Sequence, residues 1–226
     1  MTKAGMRNIM LRILDERLSN TGLETHYTAT DIDDYMEQAF EWAIGLILRK
    51  NPKKFCRRTN GSTYSHLPVV GGEDMVDLPG DFIGPLYSIE LISGGDVQFR
   101  PLSFRDYSDC LKEDNTLEGE PLCFDILGSQ IFLWPKPSGS SYSLRVAYAY
   151  SPSFPVSDSV EVEFPKAYQM LIVYKALCFA IPNWGISDTI LAKISADCDS
   201  HEMGFIEYLN KPSQVYESEI IFKGNE

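Results

Sequence analysis

Few residues in this 226-residue chain have the types and spacing that catalysis or metal binding needs. The three histidines, His26, His66 and His201, fall in unrelated contexts. Cys198 and His201 are three residues apart, a spacing that can place two metal ligands on one face of a helix. A structural zinc site needs about four ligands, and Cys178 is the only other cysteine nearby in sequence. The pair therefore predicts two half-buried side chains, with no metal site and no cysteine nucleophile.

Other motifs for enzyme chemistry are incomplete. Gly71-Gly72 and Gly94-Gly95 lack the Gly-Lys-Ser/Thr continuation and the strand-to-helix context of a phosphate-binding loop. Asn60-Gly61-Ser62 matches a glycosylation sequon, but without a secretory signal it indicates only a turn. Carboxylates are abundant, yet no local motif singles out a pair suited to glycoside hydrolysis. No local motif therefore identifies a catalytic or phosphate-binding site.

The composition indicates an acidic globular protein. The formal net charge is −12 and the isoelectric point is about 4.7, which argues against wrapping by nucleic acid. Charged residues interrupt the first twenty positions, so we expect no signal peptide, and no apolar run is long enough for a membrane span. Five cysteines without paired spacing predict reduced thiols in a reducing cytosol.

Helical periodicity occurs at both ends of the chain. It predicts a helix over 3–18, and a second helix that is capped by Thr30 and ends near Lys50, before Pro52. A third helix, over 166–181, is apolar on nearly all sides and is expected to be the central helix of a bundle. A last helix follows Ser187 and ends before Pro212.

The middle of the chain is rich in strand and turn signals. Period-two alternation predicts a meander in 120–150, with a hairpin turn at Gly128-Ser129 and strands over 130–134 and 142–150. Ser103 is expected to cap a short helix over 104–111, and 160–164 reads as a short strand.

Together these elements predict an α+β fold. A helical bundle would comprise 1–58 and 152–211, an inserted β-rich, meander- or sandwich-like domain 59–151, and an extended C-terminal tail 212–226.

A basic segment stands out in this acidic chain and is a candidate contact for phosphate or for an acidic protein surface. An alternative is a solvated helix end, where cations complement the helix dipole. Its basic residues are Arg49, Lys50, Lys53, Lys54, Arg57 and Arg58.

The order of several soft motifs resembles the head-to-tail adaptor (connector ring) proteins of short-tailed bacteriophages, from about Thr30 to Leu209. This chain departs from the family pattern by an extra glycine, Gly80, which follows Leu78-Pro79 and precedes Asp81. In chain order the motifs are Thr30-Asp31-Ile32-Asp33-Asp34-Tyr35, Leu78-Pro79-Gly80-Asp81-Phe82, Pro101-Leu102-Ser103, Gly119-Glu120-Pro121, Ile131-Phe132-Leu133-Trp134-Pro135-Lys136-Pro137, Leu144-Arg145-Val146-Ala147-Tyr148 and Pro165-Lys166-Ala167-Tyr168.

The resemblance implies a structural virion protein, made in the host cytoplasm and located in the tail or neck. Such adaptors form homo-oligomeric rings, usually of twelve subunits, between the portal protein and the tail nozzle or fibres. They extend the channel for DNA ejection, and DNA passes through the lumen without specific binding. They have no catalytic turnover, so the resemblance implies a protein that is not an enzyme, and they need no cofactor. The lack of a long apolar run predicts no membrane partner.

Two contacts follow from this resemblance. The C-terminal tail is a candidate portal contact through Tyr216, Ile220, Ile221 and Phe222, and the basic segment is a second candidate, for an acidic neighbour in the ring or the portal. An acidic lumen would repel the passing DNA.

Two other classes of function stay open at this stage. One is a carbohydrate-binding or tail-fibre-associated β module, and the other a hydrolase with paired carboxylates. The long helices at both ends argue against the carbohydrate module. The aromatic residues that could stack on sugars are Phe132, Trp134, Tyr142, Tyr148 and Tyr150.

Overall fold

The computed structural model describes residues 1–18, 28–59, 65–93, 99–112, 116–139, 141–184 and 188–211. The chain divides into two compact units, a helical unit formed by 1–54 and 152–226 and a β unit formed by 55–151. Helices at both ends of the chain and a β-rich region inserted between them in sequence confirm the predicted α+β class.

The helices in the described residues are α1 (Lys3–Leu18), α2 (Ala29–Lys50), α3 (Tyr107–Leu111), α4 (Gln169–Asn183) and α5 (Asp188–Asn210), with 3₁₀ turns at Pro52–Phe55 and Lys166–Tyr168. The strands are β1 (Cys56–Arg58), β2 (Leu67–Pro68), β3 (Met75–Asp77), β4 (Phe82–Ser93), β5 (Phe99–Pro101), β6 (Ser103–Phe104), β7 (Glu118–Gly119), β8 (Cys123–Leu127), β9 (Gln130–Trp134), β10 (Lys136–Pro137) and β11 (Tyr142–Tyr150). None of the helices described here is long and apolar enough to cross a membrane.

Helix α4 is the centre of the helical unit, as its all-round apolar sequence predicts. It packs against α1, α2 and α5, and Leu171, Val173 and Leu177 are fully buried. Burial on several sides requires apolar residues around the whole helix, because no side is left for solvent. Pro182 lies in the last turn and the helix ends at Asn183.

The N-cap of α2 is Thr28, so the prediction of Thr30 is wrong. The Thr28 hydroxyl accepts a hydrogen bond from the Asp31 backbone N–H at 3.2 Å, and the Asp31 carboxylate accepts one from the Thr28 N–H at 2.8 Å. This reciprocal capping box requires an acidic residue three positions after the cap. The equivalent partner of Thr30 would be Asp33, whose carboxylate instead accepts from Arg7 at 2.6 Å.

The β unit contains two main sheets and a two-stranded pair. The larger sheet has the order β1-β11-β4-β5, with β2 also on β11, and the smaller sheet has the order β3-β9-β8-β6. Strands β7 and β10 form the parallel pair. Buried side chains line up in register in the larger sheet, where Leu144 lies opposite Leu91 and Val146 opposite Ile89.

The predicted meander is only half correct. Strands β8 and β9 form the expected hairpin, and Gly128 adopts a positive φ of 64° at the turn. The third strand, β11, does not join them: it lies between β1 and β4 in the larger sheet. This nine-residue strand pairs with the longer strand β4, at eight positions from Tyr142 to Tyr150.

Two smaller elements also differ from prediction. The short helix begins at Tyr107, with Asp106 as N-cap accepting from the Ser108 N–H at 2.8 Å. The predicted first residue of this helix, Phe104, lies in strand β6 instead, where it pairs with Phe124 of β8. Segment 160–164 is not a strand: its one bridge joins Glu161 to Thr2.

Candidate interaction surface

The exposed part of the predicted basic segment lies at the carboxyl end of α2. Arg49 and Lys50 form its last turn and Lys53 lies in the following 3₁₀ turn, all three exposed. None of the three makes an ion pair with a residue that the structure describes. Their charges therefore face solvent and remain available to a partner.

Helix α5 brings a further cation to the same place. The Asn51 side-chain amide donates to the Leu209 carbonyl at 2.9 Å, and the Lys54 ammonium lies 4.3 Å from the centre of the Tyr208 ring. Lys211 follows at the end of α5 and is exposed. We call Arg49, Lys50, Lys53, Lys54 and Lys211 the basic end of the helical unit. The sequence does not predict that Lys211 belongs here, since it lies 157 positions after Lys54 and no local pattern joins them.

The other two predicted members, Arg57 and Arg58, belong to the β unit and have carboxylate partners. Arg57 donates to Asp81 and lies 3.8 Å from the centre of the Tyr150 ring. Asp81 also accepts from the Tyr148 hydroxyl at 2.8 Å, and burial together with this bond raises the pKa of Tyr148. Asp81 thus organises a cluster at the start of β4, which gives its motif a structural role.

Glu90 organises a second cluster on β4. Its carboxylate accepts two hydrogen bonds from Arg58, at 2.9 and 3.0 Å, and one from Arg145. The Arg145 guanidinium also lies 3.2 Å from the centre of the Phe99 ring. The charge of Arg58 is therefore largely neutralised by a carboxylate of its own sheet. The sequence does not predict the roles of Asp81 and Glu90, because only strand pairing brings them beside Arg57 and Arg58.

Cys198 and His201 lack the further ligands of a metal site among the residues that the structure describes. Among the described residues, no three histidine, cysteine or acidic side chains lie close enough to hold a metal ion. His201 stacks on Tyr174 of α4 with ring centres 5.0 Å apart, and Cys198 is buried. His201 is half-buried, as the sequence predicts, whereas Cys198 is more deeply buried than predicted.

The predicted tail contact cannot be placed. Tyr216, Ile220, Ile221 and Phe222 lie outside the described residues, as does His26.

Most of the aromatic residues that a sugar-binding site would require are in the protein interior. Phe132, Tyr148 and Tyr150 are 3%, 2% and 8% exposed. Trp134 is half-buried, with the Arg105 guanidinium 5.2 Å from its ring centre. Buried rings cannot stack on a ligand, so they contribute to the core instead.

Comparison with known proteins gives the same family as the order of motifs in the sequence predicts. The family model described as SU10 adaptor protein matches residues 8–189, which include α2 to α4 and the whole β unit. The chain therefore belongs to the SU10 adaptor protein family, a family of bacteriophage head-to-tail adaptors. A comparison with curated proteins finds no significant match.

Family membership defines the coarse role of the protein. It is a structural adaptor of the bacteriophage virion, located at the neck, where it contacts other virion components. A structural family of this kind points away from enzyme activity.

Proposed function

We propose that the protein is a ring-forming adaptor that joins the portal to the tail nozzle or fibres. About twelve copies would close heterologously, each using two different faces, and the lumen of the ring would extend the DNA channel. Membership of the adaptor family supports this proposal, and the exposed basic end is the structural observation that carries it. These exposed cations complement an acidic partner surface, and further copies of this chain, each of net charge −12, are acidic partners.

In this proposal the basic end contacts an acidic surface of the neighbouring subunit or of the portal. Arg49, Lys50 and Lys53 are the members expected to contribute most, because they are exposed. Arg57 and Arg58 contribute less, since Asp81 and Glu90 already compensate their charges. Charge pairs at an interface mainly accelerate association and select the partner, so the contact should weaken as salt is raised.

The second proposed contact is the C-terminal tail, 212–226, inserted into the portal. Its support is the sequence itself: Tyr216, Ile220, Ile221 and Phe222 supply apolar surface in a segment that otherwise reads as polar. A tail that orders only on binding would contribute affinity in proportion to the apolar area it buries. Deleting 213–226 should then abolish portal binding, and unchanged binding by the truncated chain refutes this contact.

The third element of the proposal is an acidic lumen that DNA passes without adhering. The net charge of −12 supports it, because like charges repel and the ring would multiply that charge. Assembled rings should show no retention of duplex DNA at about 0.15 M salt. A lumen lined by lysine and arginine would overturn the idea.

Charge reversal at the basic end tests the proposal directly. The double variant Lys50→Glu and Lys53→Glu should weaken ring closure or portal binding by roughly tenfold or more, measured by analytical ultracentrifugation and by surface binding to purified portal. The matched control is Lys112→Glu with Lys193→Glu, which changes the net charge equally at exposed lysines elsewhere. Equal behaviour of the two double variants would remove the basic end from the interface. A full-length chain that stays monomeric with and without portal contradicts the ring itself.

A further inference from the structure

One side of α2 carries acidic side chains that make no ion pair with a residue in the part of the chain that the structure describes. Asp34, Glu37 and Glu41 are exposed and follow one another at intervals of three and four residues, so they share one side of the helix. No lysine, arginine or histidine precedes Arg49 in this helix. Gly45 lies four residues after Glu41 on the same side. We call Asp34, Glu37, Glu41 and Gly45 the outer face of α2.

The helix dipole does not account for the negative charge of this face. The positive end of a helix stabilises carboxylates only within about its first turn, where Asp31 closes the capping box. Glu37 and Glu41 lie beyond that turn, and like charges four residues apart repel each other and destabilise a helix. A cationic surface placed against the outer face would replace this repulsion by attraction.

Gly45 is a second, independent feature of the outer face. It lies in the interior of α2, where glycine stabilises a helix less than alanine does. A side-chain carbon at this position would meet no atom of the surrounding structure within 4 Å, so the packing of the chain itself does not require glycine there. The missing side chain allows a partner to approach the helix backbone closely. The outer face therefore combines negative charge with room for another protein surface.

We propose that the outer face of α2 receives the basic end of the next copy of this chain, so that subunits associate head to tail. The two surfaces have opposite charge and are different parts of the helical unit, as a heterologous contact requires. The inference rests on the proposed ring and names the surface that the basic end contacts within it. In this contact the ammonium groups of Lys50 and Lys53 pair with the carboxylates of Glu37 and Glu41.

An antiparallel pairing of two α2 helices about a two-fold axis would use these charges less completely. Arg49 lies on the same side of α2 as Glu41, so each copy could pair its Arg49 with Glu41 of the other. Lys50 points to another side of the helix, and Lys53 and Lys211 lie beyond α2, so their charges would stay uncompensated. The head-to-tail contact engages the whole basic end and is therefore favoured.

Zero-length cross-linking of wild-type rings tests the contact without any substitution. A water-soluble carbodiimide joins a lysine amine to a carboxylate only when the two groups touch. Glu41 and Lys50 are nine residues apart on one helix, or about 13 Å, so a link between them must join two copies. We expect cross-linked peptides that join Lys50 or Lys53 to Glu37 or Glu41. Rings that give lysine–carboxylate links elsewhere but none between these two surfaces overturn the inference.

Charge exchange between copies tests the same pairing in solution. The double variant Glu37→Lys and Glu41→Lys should weaken ring closure roughly tenfold or more, as should Lys50→Glu with Lys53→Glu. An equimolar mixture of the two double variants should restore rings of alternating copies, because each reversed surface then meets its complement on the other variant. Sedimentation velocity of the full-length proteins, with and without purified portal, measures both effects.

The matched control for the outer face is Glu73→Lys with Glu118→Lys, two exposed positions of the β unit, which should assemble as the wild type does. If Glu37→Lys with Glu41→Lys also assembles as the wild type does, or if the mixture assembles no better than either variant, the inference fails and the proposed ring stands. A wild-type chain that stays monomeric with and without portal overturns both. Particles that stop at two copies overturn the head-to-tail arrangement.

Discussion

Gln169, at the start of α4, is a buried polar residue of the helical unit. It is 2% exposed, and its side-chain amide donates to the Val162 and Phe164 carbonyls at 3.1 and 3.2 Å. Its side-chain oxygen accepts a hydrogen bond from the Met1 α-amino group at 2.6 Å. One amide thus joins the start of α1 and the segment before α4 to the central helix.

Replacing this amide by an apolar side chain of similar size isolates the hydrogen bonds. Gln169→Met keeps most of the packed volume but leaves two carbonyls and an ammonium without their partner. Each neutral bond contributes about 1 kcal/mol, and the charge-assisted bond about 1.5–3 kcal/mol when the groups are dry. Because the amino group is only partly buried, we expect a total loss of about 3 kcal/mol in the free energy of unfolding.

Thermal unfolding followed by circular dichroism measures this loss. For a chain of this size, about 3 kcal/mol corresponds to a fall in Tm of roughly 6–12 °C. The matched control is Gln38→Met, an exposed position on α2, where the change should stay within about 0.5 kcal/mol. If Gln169→Met unfolds within about 1 kcal/mol of the wild type, the amide does not hold these segments together.

Three further perturbations test other parts of the structure. Burial raises the pKa of Asp33, but hydrogen bonds from Arg7 and Lys3 outweigh it and the pKa is lowered. The stabilisation is therefore present above the ordinary carboxyl pKa of about 3.9 and is lost as pH falls through the lowered value. Urea midpoints measured down to about pH 2 should fall less steeply for Asp33→Asn than for the wild type, and parallel curves would contradict this ion pair. Leu133→Ala, at a fully buried position, should cost about 2–5 kcal/mol in urea unfolding, whereas Leu122→Ala, 52% exposed, should cost less than about 1 kcal/mol. Glu90→Gln should cost about 1–3 kcal/mol because two guanidiniums lose their shared carboxylate, and a neutral result would show that solvent replaces it.

The sequence alone was sufficient wherever the determining signal is local. The apolar stripe of α1 predicts Lys3–Leu18, and alternation with turn residues predicts Gln130–Trp134 and Tyr142–Tyr150, each at its observed bounds. The all-round apolar sequence of α4 predicts its central position. The order of the motifs also predicts the adaptor family, and the family model over residues 8–189 confirms it.

The tertiary structure decided what depends on residues distant in the chain. Alternation shows that Tyr142–Tyr150 is a strand but cannot name its partner, and pairing with Phe82–Ser93 turned an expected meander into two sheets. Nothing in the sequence around Arg57 and Arg58 predicts that Asp81 and Glu90 compensate their charges.

The same reason governs the surface from which the proposed function starts. Lys211 joins the basic end only because α5 returns beside α2. Spacing along one segment determines periodicity, caps and turns, since these involve neighbours in the chain. Which side chains meet across tens of residues is set by the packing that buries the most apolar surface, and no single segment contains that information.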